Sequence, residues 1–396
     1  MEKIETDVLV VGGGPAGSIT AEVTAAAGAD TILIDKKDDP SRSSACGGLV
    51  SVNTWNQLDA SDNAIVNDIS GVLVHPPNGK DFELASSSVK AYVIDRDRLN
   101  VELLSRAEDR GVKIRPKTAI FQRNSSGVRT RSTSGSTEKS ISSKIIVGAD
   151  GPRSDVRRLF DLDKPSKLLY AIQAEIELEL FSDDYVEVFF GKKIAPGFFG
   201  WVIPTDTRRA RVGLATTKGA KLKDFFEQLL KEVGVDSPRS FRTGVIPLGV
   251  PDHSSGNNVL TVGDAAGQVK PTTGGGLYPI SITAELAGEA ALKGLSGLDS
   301  PSRHYYQEWM DRVGEELKRE MLLHRILEVV SDDNLTRLLK LLNRPNIAGW
   351  MADNGDIDHL YPLAKKMAKN PFVMTTIVKQ LPGEFASEIK KELTSL

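Results

Sequence analysis

Cysteine is almost absent from this sequence, which contains only Cys46. A single cysteine excludes an internal disulfide and favours a reducing cytoplasm as the setting. Long apolar runs are also absent, and none approaches the roughly 20 residues that a helix needs to span a bilayer. The segment from Met1 to Asp7 lacks the apolar core of a secretory signal. We therefore expect a cytoplasmic protein, and peripheral contact with the inner face of the cell membrane stays open.

An excess of charge of one sign is lacking as well. The chain has 50 Lys and Arg against 53 Asp and Glu, a formal net charge of -3, which gives no support for a nucleic-acid partner. There is no fixed-period repeat, and the polar stretch from Asn124 to Ser143 suits a hairpin with surface loops. The length of 396 residues allows a large core divided into two or three regions.

The first forty residues read as a strand, a tight turn, a helix and a second strand. An apolar run from Asp7 to Val11 leads into the glycine-rich segment Gly12–Gly17. A second buried strand, Thr31 to Ile34, ends at Asp35. This order and spacing favour a dinucleotide-binding unit over a purely structural glycine loop.

Each glycine of this segment has a separate physical role. Gly12 permits the turn, Gly14 lets the backbone approach a pyrophosphate, and Gly17 lets the helix pack on the strand. The N-terminus of the helix then favours negative charge at the phosphates. Asp35 is expected to accept hydrogen bonds from ribose hydroxyls.

Later segments favour FAD over NAD. The strand-like run Lys144 to Val147 ends at the turn Gly148-Ala149-Asp150-Gly151. Another buried strand, Val259 to Val262, runs directly into Gly263-Asp264. An aspartate at a strand end can bind a ribityl hydroxyl, which nicotinamide cofactors lack. An ordinary helix cap is the alternative role for Asp264.

The segment Pro271–Gly276 precedes a helix that is expected to begin near Leu277. Aimed at the pyrimidine side of an isoalloxazine, this helix N-terminus would stabilise the anion of reduced flavin. Taken in isolation, the tract Gly274 to Gly276 suits a flexible loop. Only one dinucleotide fingerprint is present, so we expect no second Rossmann domain. The electron donor stays open between transiently bound NAD(P)H, ferredoxin and another small carrier.

Together, Gly12–Gly17, Gly148–Gly151 and Gly263-Asp264 resemble the para-hydroxybenzoate-hydroxylase-like flavoproteins. The resemblance implies an α/β fold in which a Rossmann-like FAD-binding domain is interleaved with an antiparallel-sheet substrate domain, followed by a C-terminal helical region. The implied boundaries assign 1–75, 93–165 and 243–300 to the FAD-binding domain, 76–92 and 166–242 to the substrate domain, and 301–396 to the helical region.

Two further segments resemble the geranylgeranyl reductase family, which saturates isoprenoid double bonds in archaeal membrane lipids, chlorophyll side chains and menaquinone tails. Cys46-Gly47-Gly48 is similar to the family's Cys-Gly-acid/Gly motif. Pro196 to Pro204 looks like its Pro-x-x-Tyr-x-Trp-x-Phe-Pro motif at the substrate cavity. Here Phe199 replaces the Tyr and Ile203 replaces the Phe, so the phenol hydroxyl is lost.

The resemblance implies an FAD-dependent reductase that saturates C=C bonds of geranylgeranyl chains, with archaeal membrane glycerolipids as the expected substrates. It implies Cys46 as the catalytic residue and no metal site. The implied substrate-binding residues are Phe199, Trp201 and Pro204. The residues expected to hold FAD are Gly12, Gly14, Pro15, Ala16, Gly17, Asp35, Lys36, Cys46, Gly47, Arg96, Asp150, Gly151, Gly263, Asp264, Gly274, Gly275, Gly276 and Leu277.

The residues by themselves leave alternatives open. Cys46 also suits a small buried hydrophobe, and Arg96 a surface ion pair with a neighbouring aspartate. Phe199 and Trp201 alternate with small residues at strand spacing, which fits core packing or the wall of an apolar tunnel. Two other functions remain: an aromatic hydroxylase on the same scaffold, and a non-catalytic prenyl-lipid-binding protein with structural FAD.

Reduction of an isolated alkene needs a hydride and a proton supplied nearly in concert in a dry site. Cys46 and ordered water are the candidate proton donors. Helical patterns from Glu315 to Val330 and from Leu335 to Leu342, broken at Asn343–Pro345, predict a C-terminal domain packed on the core. A lid over the tunnel or a membrane-surface contact is the alternative for these helices.

Overall fold

We describe the protein from a computed structural model, which covers residues 2–42, 46–236, 238–252 and 256–369 and positions 371, 375 and 379. The predicted helical region 301–396 is thus described continuously as far as residue 369. The strands in chain order are β1 (Glu2–Val11), β2 (Thr31–Ile34), β3 (Leu49–Ser51), β4 (Ile65–Ile69), β5 (Gly71–His75), β6 (Phe82–Ala85), β7 (Ala91–Ile94), β8 (Lys113–Arg115), β9 (Thr118–Arg123), β10 (Gly127–Ser132), β11 (Glu138–Gly148), β12 (Lys167–Glu177), β13 (Tyr185–Phe190), β14 (Phe199–Pro204), β15 (Arg209–Thr216), β16 (Arg242–Leu248) and β17 (Val259–Thr261).

The helices begin with the one that follows the glycine-rich turn and end with a C-terminal cluster. In chain order they are α1 (Pro15–Ala26), α2 (Val52–Leu58), α3 (Arg96–Asp109), α4 (Asp155–Leu159), α5 (Leu222–Glu232), α6 (Leu277–Leu295), α7 (Pro301–Trp309), α8 (Glu315–Val329), α9 (Asp332–Leu342), α10 (Pro345–Asn354) and α11 (Tyr361–Ala368). Short 3-10 turns occupy Asp62–Ala64, Gly219–Lys221 and Gly263–Ala266, and a π-helical turn, Met310–Gly314, joins α7 to α8.

A mostly parallel sheet forms the FAD-binding part. Its strand order is β8-β2-β1-β11-β10-β9, and β17 lies beside the carboxyl end of β11. The strands β8, β2, β1, β11 and β17 run parallel, whereas β9, β10 and β11 form an antiparallel meander. Helices α1, α3 and α6 pack on one face of the sheet, and strands β9 and β10 with α4 pack on the other. The centre of β1 is therefore fully buried on both faces, as parallel strands usually are. The predicted strand-turn-helix-strand unit and the hairpin in the polar stretch are confirmed.

A second sheet, which corresponds to the predicted substrate domain, has the strand order β16-β12-β15-β14-β13-β5-β6. Apart from the parallel pair β5 and β13, its neighbouring strands are antiparallel. The amphipathic helix α5 covers one face and buries Phe226, Leu229 and Leu230 against it. Gly200 permits this approach, since a Cβ there would lie 3.1 Å from Leu229.

The pairing differs from the predicted domain boundaries at two strands. Gly71–His75 pairs in register with Tyr185 to Phe189, so it belongs to the substrate sheet although 1–75 was assigned to the FAD-binding domain. Arg242–Leu248 pairs with β12 in the same sheet, although 243–300 was assigned to the FAD-binding domain. Both strands pair with segments remote in sequence, and this partner choice has no local sequence signal.

The C-terminal helices pack on the substrate sheet. Leu335 and Leu339 of α9 share a buried cluster with Val74 and Phe82 of strands β5 and β6. The predicted helices are confirmed at Glu315–Val329 and Asp332–Leu342, and α10 starts at Pro345 after the predicted break. In the described part of the chain, no helix has the length and apolar character needed to cross a membrane.

A buried ion pair joins the C-terminal region to the segment before α6. Lys270 and Asp358 form a close ion pair with side-chain exposures of 4% and 5%. Lys270 also donates to the carbonyl of Ile357 at 2.8 Å, and Asp358 accepts from the Thr54 hydroxyl at 2.6 Å and from the Ser51 hydroxyl. Hydrogen bonding on both sides is what makes a buried pair tolerable.

We predict that Asp358→Ala lowers the free energy of unfolding by about 3 to 5 kcal/mol, because it leaves a buried, unpaired ammonium. The matched control is Glu315→Ala, which breaks the exposed pair with Lys318 at 3.1 Å and should cost less than about 1 kcal/mol. Equilibrium urea denaturation of the apo-protein measures both changes. Equal, small losses in the two variants would contradict a structural role for the buried pair.

Candidate functional site

The glycine-rich turn is built from backbone contacts that exclude side chains. Gly12 has φ +111°, and a Cβ on it would lie 2.3 Å from the carbonyl oxygen of Ala149. A Cβ on Gly17 would lie 1.9 Å from the carbonyl oxygen of Gly12. Both distances are impossible for a real Cβ, so these glycines set the close packing of β1, α1 and β11.

Gly14 differs, because a Cβ there would meet nothing within 4 Å. Its φ of -77° is open to any residue, so neither backbone strain nor packing in the protein explains a glycine here. Pro15 follows at the first position of α1, and no side chain caps this helix. Ala16 packs against the turn at Gly263, where a Cβ would lie 3.0 Å from the Ala16 side chain. The free helix N-terminus beside open space is a suitable site for a pyrophosphate.

Asp35, at the end of β2, is buried beside this turn. Its Oδ2 accepts from the backbone N–H of Gly13 at 2.8 Å and its Oδ1 from that of Lys37 at 2.7 Å. Each carboxylate oxygen accepts more than one hydrogen bond, so Asp35 has capacity left for ribose hydroxyls. The side chain of Lys36 is exposed, and no described contact directs it toward the turn.

Asp150 and Gly151 form the turn after β11. Asp150 caps α4, since its Oδ2 accepts from the backbone N–H groups of Asp155 at 2.7 Å and Val156 at 3.0 Å. Burial, the main effect, raises the pKa of Asp150, and these hydrogen bonds oppose the rise. Gly151 has φ +80° and open space beside it. One oxygen of the Asp150 carboxylate is therefore used to cap α4.

Arg157 locks this turn to the next one. Its guanidinium donates to the carbonyl of Ala265 at 2.7 Å and to that of Pro152 at 3.0 Å. The sequence shows a basic run, Arg153, Arg157 and Arg158, but not this role, because the link to Ala265 joins residues far apart in the chain.

Asp264 lies where β17 ends and faces the start of α6. Its Oδ1 is 3.5 Å from the position of a Cβ on Gly276. Burial raises the pKa of Asp264 to about 6, and the charge of Arg96 opposes this rise. Arg96, at the start of α3, donates to Asn100 at 3.2 Å, while its Nε is buried without a partner among the described residues. Arg96 thus keeps a free donor, and Asp264 is a buried carboxylate. Both groups suit the polar atoms of FAD.

The Pro271–Gly276 segment, called here the flavin loop, leads into α6 beside Asp264. Gly274 has φ +72°, and a Cβ on it would lie 3.5 Å from Phe198 of the substrate part. Gly275 packs over Lys270, which would be 3.0 Å from its Cβ. No side chain caps α6, which begins at Leu277 as predicted, so a second free helix N-terminus points into the site.

Phe199 and Trp201 share one face of β14, with ring centroids 6.2 Å apart. They pack with Phe198 and Ile246 beside the flavin loop. Strand alternation places Pro204 on the opposite face with Gly200 and Val202, so the structure does not bring its ring to Phe199 and Trp201.

The Cys46 loop is tied to this aromatic face by Gln173, which the sequence did not single out. The Trp201 indole donates to Gln173 Oε1 at 3.0 Å, and Gln173 Nε2 donates to the Cys46 carbonyl at 3.0 Å. The Cys46 side chain is exposed, which disfavours its reading as a buried hydrophobe. The loop also packs closely on β14, since a Cβ on Gly47 would lie 3.0 Å from Ile203.

We predict that Gly14→Ala keeps the unfolding midpoint of the apo-protein but weakens FAD binding about 10-fold or more, about 1.4 kcal/mol. The added methyl would occupy the open space that a pyrophosphate needs. Gly17→Ala is the matched control and should destabilise the apo-protein itself through the clash with Gly12. Thermal unfolding and titration with FAD separate the two effects, and unchanged FAD affinity in Gly14→Ala would refute close approach at this residue.

Comparisons with known proteins agree with this geometry. Residues 5–278 match the family model described as FAD binding domain. Digeranylgeranylglycerophospholipid reductase 1 of Methanothermobacter thermautotrophicus is 31% identical over 353 residues, 84% of this chain and 89% of that protein. A geranylgeranyl bacteriochlorophyll reductase-like protein from Thermoplasma acidophilum matches the structure with a TM-score of 0.81 at 22% identity, covering 99% of this chain and 100% of the other.

Other flavoproteins share the fold. p-Nitrophenol 4-monooxygenase from Pseudomonas putida matches with a TM-score of 0.66 at 16% identity, covering 89% of this chain and 98% of the other. The family match and the 31% identical relative cover most of the chain. The chain therefore belongs to the FAD-binding-domain flavoproteins and, within them, to the geranylgeranyl reductase family, and it is an FAD-dependent oxidoreductase.

Proposed function

We propose that this protein saturates the isolated C=C bonds of geranylgeranyl chains, with archaeal membrane glycerolipids as substrates. The observation that carries the proposal is the aromatic face of Phe199 and Trp201, which lies between the Cys46 loop and the flavin loop. Relatives named digeranylgeranylglycerophospholipid reductase at about 30% identity support the substrate class.

The free helix N-termini and the carboxylates described above support a place for each part of FAD. We propose that Gly14 and the start of α1 hold the pyrophosphate, Asp35 the ribose, and Asp264 with Arg96 the ribityl chain. The start of α6 would face the isoalloxazine. When bound in its reduced form, FAD supplies the hydride that the saturation of an alkene requires.

The protein's own part is to hold an apolar chain in a dry place. Phe198 and Phe199 are stacked with centroids 4.3 Å apart, and Met321 of α8 packs on the same cluster. Because the indole N–H of Trp201 is already bonded to Gln173, Trp201 presents ring surface to a substrate. The face therefore suits a prenyl chain better than a polar aromatic ring.

An aromatic hydroxylase on the same scaffold remains the alternative, since p-nitrophenol 4-monooxygenase has this fold. Purified protein, reduced anaerobically with dithionite, is mixed with geranylgeranylated glycerophospholipid, and the lipid is analysed by mass spectrometry. We expect mass gains in steps of two hydrogens. Reduced flavin with unchanged lipid would favour the hydroxylase, and a flavin that never bleaches would favour a lipid-binding protein with structural FAD.

We predict that Gln173→Leu lowers lipid reduction about 10-fold, because the Cys46 carbonyl and the Trp201 indole lose partly buried hydrogen bonds worth about 0.5 to 1.5 kcal/mol each. The dithionite reduction of FAD should stay unchanged, since Gln173 lies outside the cofactor crevice. Gln122→Leu, at an exposed glutamine on β9, is the control. Wild-type turnover in Gln173→Leu would show that the link between Cys46 and Trp201 has no role in the reaction.

A further inference from the structure

Glu320 is a buried carboxylic acid that the proposed function leaves without a role. It lies on α8, and its side chain is 0% exposed. Its Oε2 is 2.5 Å from the Thr272 hydroxyl oxygen and accepts from the Thr272 backbone N–H at 3.5 Å, while its Oε1 has no hydrogen-bond partner among the described residues. Because a buried charge needs several donors, this sparse set favours the neutral acid over the carboxylate.

The charges that face Glu320 leave its proton in place near neutral pH. Lys270 is nearby, but its ammonium is in an ion pair with Asp358 and donates to the Ile357 carbonyl. Glu316, one turn earlier on α8, adds negative charge. Burial, the largest effect, raises the pKa of Glu320 to about 7, against the opposing effects of Thr272 and Lys270. The group can therefore both hold and release a proton under working conditions.

Thr272 places this acid at the edge of the substrate face. It is a residue of the flavin loop, two positions before Gly274, which lies against Phe198. Met321, next to Glu320 on α8, packs with Phe198. The hydrogen bond between Thr272 and Glu320 thus joins the two segments, the flavin loop and α8, that both contact Phe198.

We propose that Glu320 stores the proton for alkene reduction and delivers it through the hydroxyl of Thr272. The inference rests on the proposed function, because it supplies the second of the two hydrogens that saturation adds. Glu320 acts through Thr272 and does not itself touch the substrate.

The step balances as follows from the groups already named. Bound as proposed above, reduced FAD would supply a hydride with its electron pair to one alkene carbon as the π bond breaks. The other carbon takes the proton of the Thr272 hydroxyl, which receives the Glu320 proton in exchange. Glu320 ends as a carboxylate and is reprotonated from water before the next double bond is reduced.

The sign of the pH dependence follows from the raised pKa. Glu320 must be protonated to act, so lipid reduction should fall as the pH rises through about 7. Folding stability has the same sign, since the folded protein favours the acid form. The Glu320 contribution to stability is complete below pH 4.5 and is lost as the pH rises toward about 7.

Glu320→Gln tests the proposal because it keeps the shape and removes the proton. We expect lipid turnover to fall about 100-fold or more and to lose its decline above neutral pH, while FAD binding and reduction by dithionite stay as in wild type. Thr272→Val should behave like Glu320→Gln, and Thr272→Ser should restore turnover because it keeps the hydroxyl. Glu315→Gln, at an exposed acid paired with Lys318 at 3.1 Å, is the control on the same helix.

A readout without lipid keeps the two proposals apart. In the apo-protein, the unfolding midpoint of wild type should fall relative to that of Glu320→Gln as the pH rises from about 4.5 to about 7. Lipid reduction that keeps its rate and pH profile in Glu320→Gln would overturn the relay, as would a pH profile abolished by Cys46→Ala instead. Failure of wild type to reduce any prenyl lipid would overturn the proposed function itself.

Discussion

The contacts of the flavin loop hold the separate parts of the molecule in one arrangement. Lys270, the residue before the loop, forms a buried pair with Asp358 of the C-terminal region, and Thr272 of the loop is hydrogen-bonded to Glu320 of α8. Gly274 brings the loop against Phe198 of the substrate sheet. A shift of the loop would break an ion pair, a buried hydrogen bond and an apolar contact together, so the crevice and the aromatic face have a fixed relation.

Local patterns in the sequence predicted the parts of the site that are built from consecutive residues. Gly12, Gly17 and the start of α6 at Leu277 were predicted because turns and helix starts depend on a few neighbouring residues. The same reasoning located β17, which leads into the turn that holds Asp264. Local reasoning could not show that the Asp150 carboxylate caps α4 through Oδ2, because this contact depends on the backbone geometry of the turn.

The features missed by sequence reasoning join residues that are distant in the chain. Gln173 connects the Cys46 loop to Trp201, and nothing in its neighbourhood on β12 distinguishes it from a surface glutamine. The burial of Glu320 has only a weak sequence signal, which is that this acid lies next to Met321 in the buried stripe of α8. The boundary at Gly71–His75 was misplaced because a strand's partner is decided by the whole sheet, not by its own residues.

The strand pairing also governs how the protein is made. Glu2 pairs with Lys139 and Gly71 pairs with Tyr185, so the first strand of each sheet is synthesised long before its partner. Until β11 and β13 leave the ribosome, β1 and β5 can pair only with β2 and β6, and each keeps one unpaired edge, which is a state prone to aggregation. We expect neither sheet to close during early synthesis, and the nascent chain to depend on chaperone protection for that interval.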